Sequence, residues 1–168
     1  FNISHLEIID PETYADDKYA EMVASFVARR NGKVTEEDAQ KLLRDVTYFG
    51  TMMVYMGLAD GLVSGAVHST GDTVRPALQI IKTKPGVSRT SGAFIMINSD
   101  KSKKYLFSDC AININPNAQE LAEIAVESAK TAELFGIHPN VAMLSFSTKG
   151  SAKSEEALKV AEATKIAQ

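Results

Sequence analysis

Apolar side chains between residues 36 and 56 fall at Ala39, Leu42, Leu43, Val46, Phe49 and Met53. That three-and-four spacing predicts a helix with one buried face. Thr35, followed by Glu36, Glu37 and Asp38, supplies an N-cap and acids for the positive end of the helix dipole. Upstream, Met22, Val23, Phe26 and Val27 repeat at the same spacing, and Asn31-Gly32 suits a helix stop. Two helices packed side by side are the expectation for this part of the chain.

The pattern changes at residues 59–67, ADGLVSGAV, a short apolar run broken by Gly61 and Gly65 that reads as a buried strand. A polar loop and another helix follow it. Residues 84–92 are the most turn-rich part of the chain and mark the expected lobe boundary. Next come two strand-like runs, residues 93–98 and 104–112, with the charged loop SDKSKK between them as a hairpin connection. Pro116 and Asn117 precede a helix through Phe135, with Leu121, Ile124, Ala125, Ser128, Ala132 and Phe135 on one face. Residues 140–147 read as a strand, and a glycine loop then leads into a helix beginning near Ser151. Helices and strands alternate, so the expected class is α/β.

Composition narrows the function classes. The 168 residues carry 18 Lys and Arg against 21 Asp and Glu, a net charge of −3, with the two signs interspersed. No broad basic face results, which argues against nucleic acid and a membrane surface as partners. The apolar runs fall far short of a membrane span, and no charged-then-apolar leader opens the chain. A single cysteine, Cys110, forms no internal disulfide and reads as a small buried hydrophobe on a strand. A cytoplasmic address follows as an expectation. The chain starts at Phe1 and stops at Gln168 inside a helical pattern, as expected for a piece of a longer protein.

Candidate chemistry concentrates in residues 64–83, SGAVHSTGDTVRPALQIIKT, at the junction from the expected strand into a helix. In open α/β sheets this edge is where ligands bind, and a helix start offers unpaired N–H groups to an anion. Ser69, Thr70 and Thr73 add hydroxyls, His68 adds a hydrogen-bonding imidazole, and Arg75 suits two parallel bonds to a phosphate or carboxylate. A purely structural reading fits the same residues: Asp72 or Thr73 caps the helix, Pro76 sits in its first turn, and Arg75 pairs with a surface acid. A second loop carries Ser147, Thr148 and Lys149 between a strand and a helix. It lacks the spacing of a nucleotide-triphosphate loop, and an ordinary polar turn with solvated lysines fits it too. His5, His68 and His138 stand far apart without paired ligands, so no metal site is expected. Neither a nucleophile-elbow nor a dinucleotide-binding fingerprint is present.

Several blocks carry a family resemblance. IIDPETY near the start, the stretch from YFGTMMVYMGLADGLVSGAVHSTGDTVRPALQ through GAFIM, then FSDCAININP, LAEIAVESAKTAELFGI and VAMLSFSTKGSAKS closely resemble phosphate acetyltransferases. The resemblance implies reversible transfer of an acetyl group between coenzyme A and inorganic phosphate, with acetyl phosphate as the other partner. Coenzyme A is then a substrate, and no resident cofactor is implied. Arg75, in the block S-x-x-D-[TL]-x-R-P, and Arg30 match the family's functional arginines, although Arg29 stands beside the latter. The implied fold is two three-layer α/β lobes like those of isocitrate and isopropylmalate dehydrogenases, paired as a homodimer. Residues 1–87 fall in the first lobe, which is expected to be incomplete, and residues 88–168 in the second, also truncated. The family's later S-R-G…D block, with the acid assigned as base, has no counterpart here, so the 168 residues alone are expected to be weakly active or inactive. Two relatives of this function stay open: a phosphate butyryltransferase, and a non-catalytic acetyl-CoA-sensing domain like those fused to malic enzymes.

Overall fold

The computed structural model describes residues 4–148 and 150–168. The chain forms two compact units, Phe1–Lys82 and Thr83–Gln168.

The first unit is helical. Helix α1 (Asp16–Arg30) opens with two acids and ends at Asn31, whose φ of 49° turns the chain out of the helix while its N–H still bonds the Val27 and Ala28 carbonyls. Thr35 caps α2 (Glu36–Leu42), its hydroxyl accepting from the Asp38 N–H at 3.1 Å. The single helix expected over residues 36–56 is two helices. Asp45 breaks it: its carboxylate accepts from the N–H groups of Thr47 (2.9 Å) and Tyr48 (3.1 Å) and starts α3 (Val46–Tyr55). Asp45 offers those N–H groups a closer acceptor than the preceding turn does, and the backbone leaves the helix to use it. The apolar periodicity continues across the break because both helices face one core.

That core joins Tyr19, Met22, Val23 and Phe26 of α1 to Ala39, Leu43, Tyr48, Phe49 and Met52, with Ile80 from α4 (Thr70–Ile80). Phe26 and Tyr48 meet edge to face, centroids 6.0 Å apart, as do Tyr14 and Phe49 at 5.0 Å. Residues 59–67 form no strand. Among the described residues the one sheet is a two-stranded pair elsewhere in the chain. A strand exists only where a neighbour takes its N–H and C=O groups, and this segment stays irregular, bent at Gly65 with a φ of 108°, with Leu62, Val63 and Val67 exposed.

In the second unit β1 (Ala93–Ile97) and β2 (Lys104–Ser108) make the expected antiparallel hairpin, with Phe94 opposite Phe107 and Met96 opposite Tyr105. The tight connection is held by Asn98, which accepts from the Lys103 N–H at 2.6 Å, and by Lys101 at a φ of 59°. One hairpin face lies on α5 (Ala118–Leu134), where the Ser108 and Ser128 hydroxyls bond at 2.5 Å. On the other face Phe94, Met96, Tyr105 and Phe107 are exposed. Asn117 and Glu120 close a reciprocal capping box at the start of α5. Helix α6 (Glu155–Ala167) packs on α5 and begins at its cap Ser154, a turn later than the expected Ser151. Residues 140–147, expected as a strand, pair with no neighbour and form no strand, with Leu144 and Phe146 exposed.

Cys110 corrects another expectation. Strand β2 ends at Ser108, Asp109 takes a φ of 56°, and the chain turns so that Cys110 is exposed, its thiol on the Phe107 carbonyl at 3.0 Å. The alternation expected of an α/β protein is thus realised in part: the described residues are mostly helical with one small sheet. None of the described helices is long and apolar enough to cross a membrane.

Candidate anion-binding site

Ser69, rather than Asp72 or Thr73, caps α4. Its hydroxyl oxygen accepts from the Asp72 N–H at 3.2 Å and donates to the Asp72 carboxylate at 2.6 Å. Thr73 donates its hydroxyl back to the Ser69 carbonyl at 3.0 Å. The hydroxyls of Ser69 and Thr73 are therefore occupied in shaping the helix start. The geometry of any helix start leaves the N–H groups of its first residues, here Thr70 and Gly71, without an intrahelical acceptor. Gly65, at a φ of 108°, lets the incoming chain pass against Thr73; a Cβ there would sit 3.5 Å from the Thr73 hydroxyl.

Arg75 lies in the second turn of α4, more than half exposed, with its guanidinium 3.5 Å from the Asp72 carboxylate. The same group folds back over the helix start, where a Cβ on Gly71 would be 4.0 Å from Arg75 Nη2. A loose, exposed pair of this kind contributes little to stability, so an incoming anion competes with Asp72 for Arg75 at small cost. Pro76 is inside the helix, not in its first turn. It is fully buried, and it has no N–H to give the Asp72 carbonyl.

The neighbouring arginines of α1 separate cleanly. Arg29 donates from Nε to the Ile80 carbonyl and from Nη2 to the Ile81 carbonyl (2.8 Å), and its guanidinium lies 5.0 Å from the Tyr55 ring centroid. It closes the end of α4, whose last carbonyls lack helical donors. Arg30 makes one long bond, Nη1 to the Gln79 carbonyl at 3.4 Å, and keeps most of its donors for other use.

Two residues outside the sequence expectations connect these arginines. Tyr48 is buried in the core to its hydroxyl, which donates to Gln79 Oε1 at 3.1 Å. Gln79 stands one turn beyond Arg75 on α4, on the same face. Burial pushes the Tyr48 phenol up, the charges of Arg75 and Arg30 oppose this, and the balance stays above the ordinary value of 10.0. Tyr48 is accordingly a neutral donor whose hydroxyl lies in the field of both arginines. His68 is half-buried and stands near Asp45 at the start of α3. The sequence signal for Tyr48 is a tyrosine on a helix face otherwise apolar, where the hydroxyl needs a partner; for Gln79 it is the four-residue step from Arg75.

The second loop is built from its own hydroxyls. Ser147 Oγ accepts from the Ala152 N–H at 3.0 Å, Ser151 Oγ from the Thr148 N–H at 3.1 Å, and Ser145 Oγ from the Ser147 N–H at 3.2 Å. These bonds match an ordinary polar turn before a helix. Lys149 lies outside the described residues.

The description "Phosphate acetyl/butaryl transferase" belongs to the family profile that matches residues 1–168. The chain belongs to this family. It is 67% identical over 167 residues to the phosphate acetyltransferase of Staphylococcus aureus strain Mu50, covering 99% of this chain and 50% of that protein. With the Bacillus subtilis phosphate acetyltransferase it shares 64% identity over 163 residues, 97% of this chain and 49% of the relative. The solved EutD phosphotransacetylase from Staphylococcus aureus superposes with a TM-score of 0.85 at 67% identity, over all of this chain and 50% of that one. A phosphotransacetylase from Streptococcus pyogenes superposes at 0.84 with 60% identity, over 98% and 52%. The chain thus spans about half the length of the transferase relatives it matches.

Proposed function

We propose that the intact protein carrying this chain is a phosphate acetyltransferase, moving an acetyl group reversibly between coenzyme A and inorganic phosphate. The observation that carries this reading is a family chain in which two arginines with spare donor capacity stand close in the fold, Arg30 on the Gln79 carbonyl and Arg75 one turn before Gln79 on α4. In the direction of acetyl-CoA synthesis, the thiolate of coenzyme A attacks the carbonyl carbon of acetyl phosphate, and the carbon–oxygen bond to phosphate breaks with its electron pair on the leaving phosphate. Guanidinium groups fixed on the phosphate oxygens stabilise that charge. Arg75 and Arg30 serve this role, Thr70 and Gly71 N–H groups at the α4 start assist, and His68 borders the site. Ser69 and Thr73 then act by shaping the helix start. The loop of Ser147 to Lys149 is a secondary candidate for substrate contact, weakened by the internal use of its hydroxyls.

A thiol of pKa about 8.5 gains typically a hundred- to ten-thousandfold from a placed base. The resemblance puts that base in a block beyond these residues, and so the 168-residue chain alone is expected to turn over weakly or not at all. Within the intact protein, the unpaired segments 59–67 and 140–147, with Val63 and Leu144 exposed, take their places as strands of three-layer α/β lobes divided near residue 87. A homodimer and a cytoplasmic address complete the reading, the latter supported by the single cysteine.

The deciding experiment is phosphate-dependent release of free thiol from acetyl-CoA by the intact protein, repeated with butyryl-CoA. Release that requires phosphate and prefers the acetyl thioester supports the reading. Preference for the butyryl thioester assigns the other activity in the family description. Acetyl-CoA binding without any release makes the protein a sensor instead.

A further inference from the structure

Gln79 is held from two sides: its side-chain oxygen takes the Tyr48 hydroxyl at 3.1 Å, and its main-chain carbonyl takes Arg30 Nη1 at 3.4 Å. Tyr48 itself cannot drift. Its ring is 8% exposed, packs edge to face on Phe26 and belongs to the cluster that joins α1, α3 and α4. Arg75 sits one helical turn before Gln79, so whatever fixes Gln79 also fixes the rotation of α4 that aims Arg75. Arg30 reports to the same residue from the end of α1. Three helices therefore meet at one glutamine, which takes the fixed phenol on its side chain and Arg30 on its main-chain carbonyl and stands one turn beyond Arg75. Long arginines cost rotamer entropy to immobilise, and a rigid polar anchor lowers the part of that cost charged to ligand binding.

We propose that Tyr48 is a positioning residue for phosphate: by clamping Gln79 it sets the spacing between the Arg30 and Arg75 guanidiniums that the phosphate must bridge. The proposal rests on the transferase reading above. Tyr48 does not itself touch substrate. Its effect is on the phosphate side of the reaction and not on the coenzyme A side, which distinguishes it from a residue that merely supports the fold.

The test uses the intact protein with Tyr48→Phe, which keeps the ring in the core and removes only the hydroxyl. Losing one such hydrogen bond is expected to raise KM for inorganic phosphate roughly three- to tenfold, with KM for acetyl-CoA unchanged. Gln79→Ala should raise KM for phosphate similarly, and Tyr48→Phe should add nothing in that background, since both remove the same clamp. An unchanged KM for phosphate, a parallel rise in both KM values, or fully additive effects of the two substitutions would each overturn the proposal, as would a loss confined to thermal stability. Arg75→Ala separates this from the underlying reading: if it leaves KM for phosphate untouched, the arginine site itself is wrong, whereas a large rise there with no effect of Tyr48→Phe sinks only the clamp.

Discussion

The two units bury very different side chains. In the first, Met22, Phe26, Leu43, Met52 and Ile80 are fully enclosed between four helices. In the second the buried hydrophobics are Ala122, Ala125, Ala132, Ala157 and Ala163, with Ile124 the one larger side chain among the described residues. The large hydrophobics of the second unit, Phe94, Met96, Tyr105, Phe107, Leu144 and Phe146, lie on its surface. Buried area carries the hydrophobic stabilisation, at about 25 cal/mol per Å², so the first unit owes its order to side-chain interlock. The second owes more to close α5–α6 approach over alanines, to the hairpin ladder and to caps. The residues with candidate chemistry stand mainly on the interlocked unit, where the Tyr48 phenol is fixed in the core with its hydroxyl on Gln79.

The largest effect should come from the core of the first unit. Phe26→Ala should cost about 3–5 kcal/mol of unfolding free energy, while Phe94→Ala in the isolated 168-residue chain should change it by no more than about 0.5 kcal/mol. Urea denaturation of both variants measures this, and equal costs would break the contrast. Smaller, and sharper in meaning, is the split between adjacent arginines. Arg29→Ala removes two hydrogen bonds at the end of α4 and a ring contact, and should cost about 1–3 kcal/mol. Arg30→Ala should leave stability near the parent value and raise KM for phosphate in the intact protein. Reversal of these two outcomes would transfer the site assignment to Arg29.

In the second unit, Asn117→Ala removes a complete capping box and should cost about 1 kcal/mol, read as a lower unfolding midpoint. A change much below this would mean that α5 is ordered by packing and that the alanine core is stronger than its size implies. The smallest effect concerns Asp45. Burial raises its carboxyl pKa, but the Thr47 hydroxyl and the N–H groups of Tyr48 and Thr47 outweigh that, leaving it below the ordinary 3.8. A depressed folded pKa gives stability that is present above the unfolded value and is lost as pH falls through the folded one. Asp45→Asn keeps an accepting oxygen for the cap but does not titrate, so its stability should fall less steeply than the parent's below pH about 4. Coincident acid limbs for the two proteins would remove Asp45 from the account.

Local features were readable wherever one short stretch decides its own structure. Asn31-Gly32 ends α1, Thr35 caps α2, Pro116-Asn117 stand just before α5, and the two strand-like runs on either side of the charged loop make a hairpin. The failures share one cause. Residues 59–67 and 140–147 have the composition of strands, but a strand is a relation between two segments, and composition does not say whether the neighbour is within reach. Cys110 was misplaced because the turn at Asp109 follows from where the ladder ends.

The site divides along the same line. Family membership, Arg75 and the pair Arg29-Arg30 are properties of the sequence by itself, since a motif is a local string and a charge is a residue type. Which arginine closes α4 and which keeps its donors, and that a tyrosine 31 positions from Gln79 clamps it, were decided only by the packing of α1, α3 and α4. Hydrogen bonds form between atoms brought within about 3 Å, and for residues far apart in the chain only the tertiary fold sets that distance.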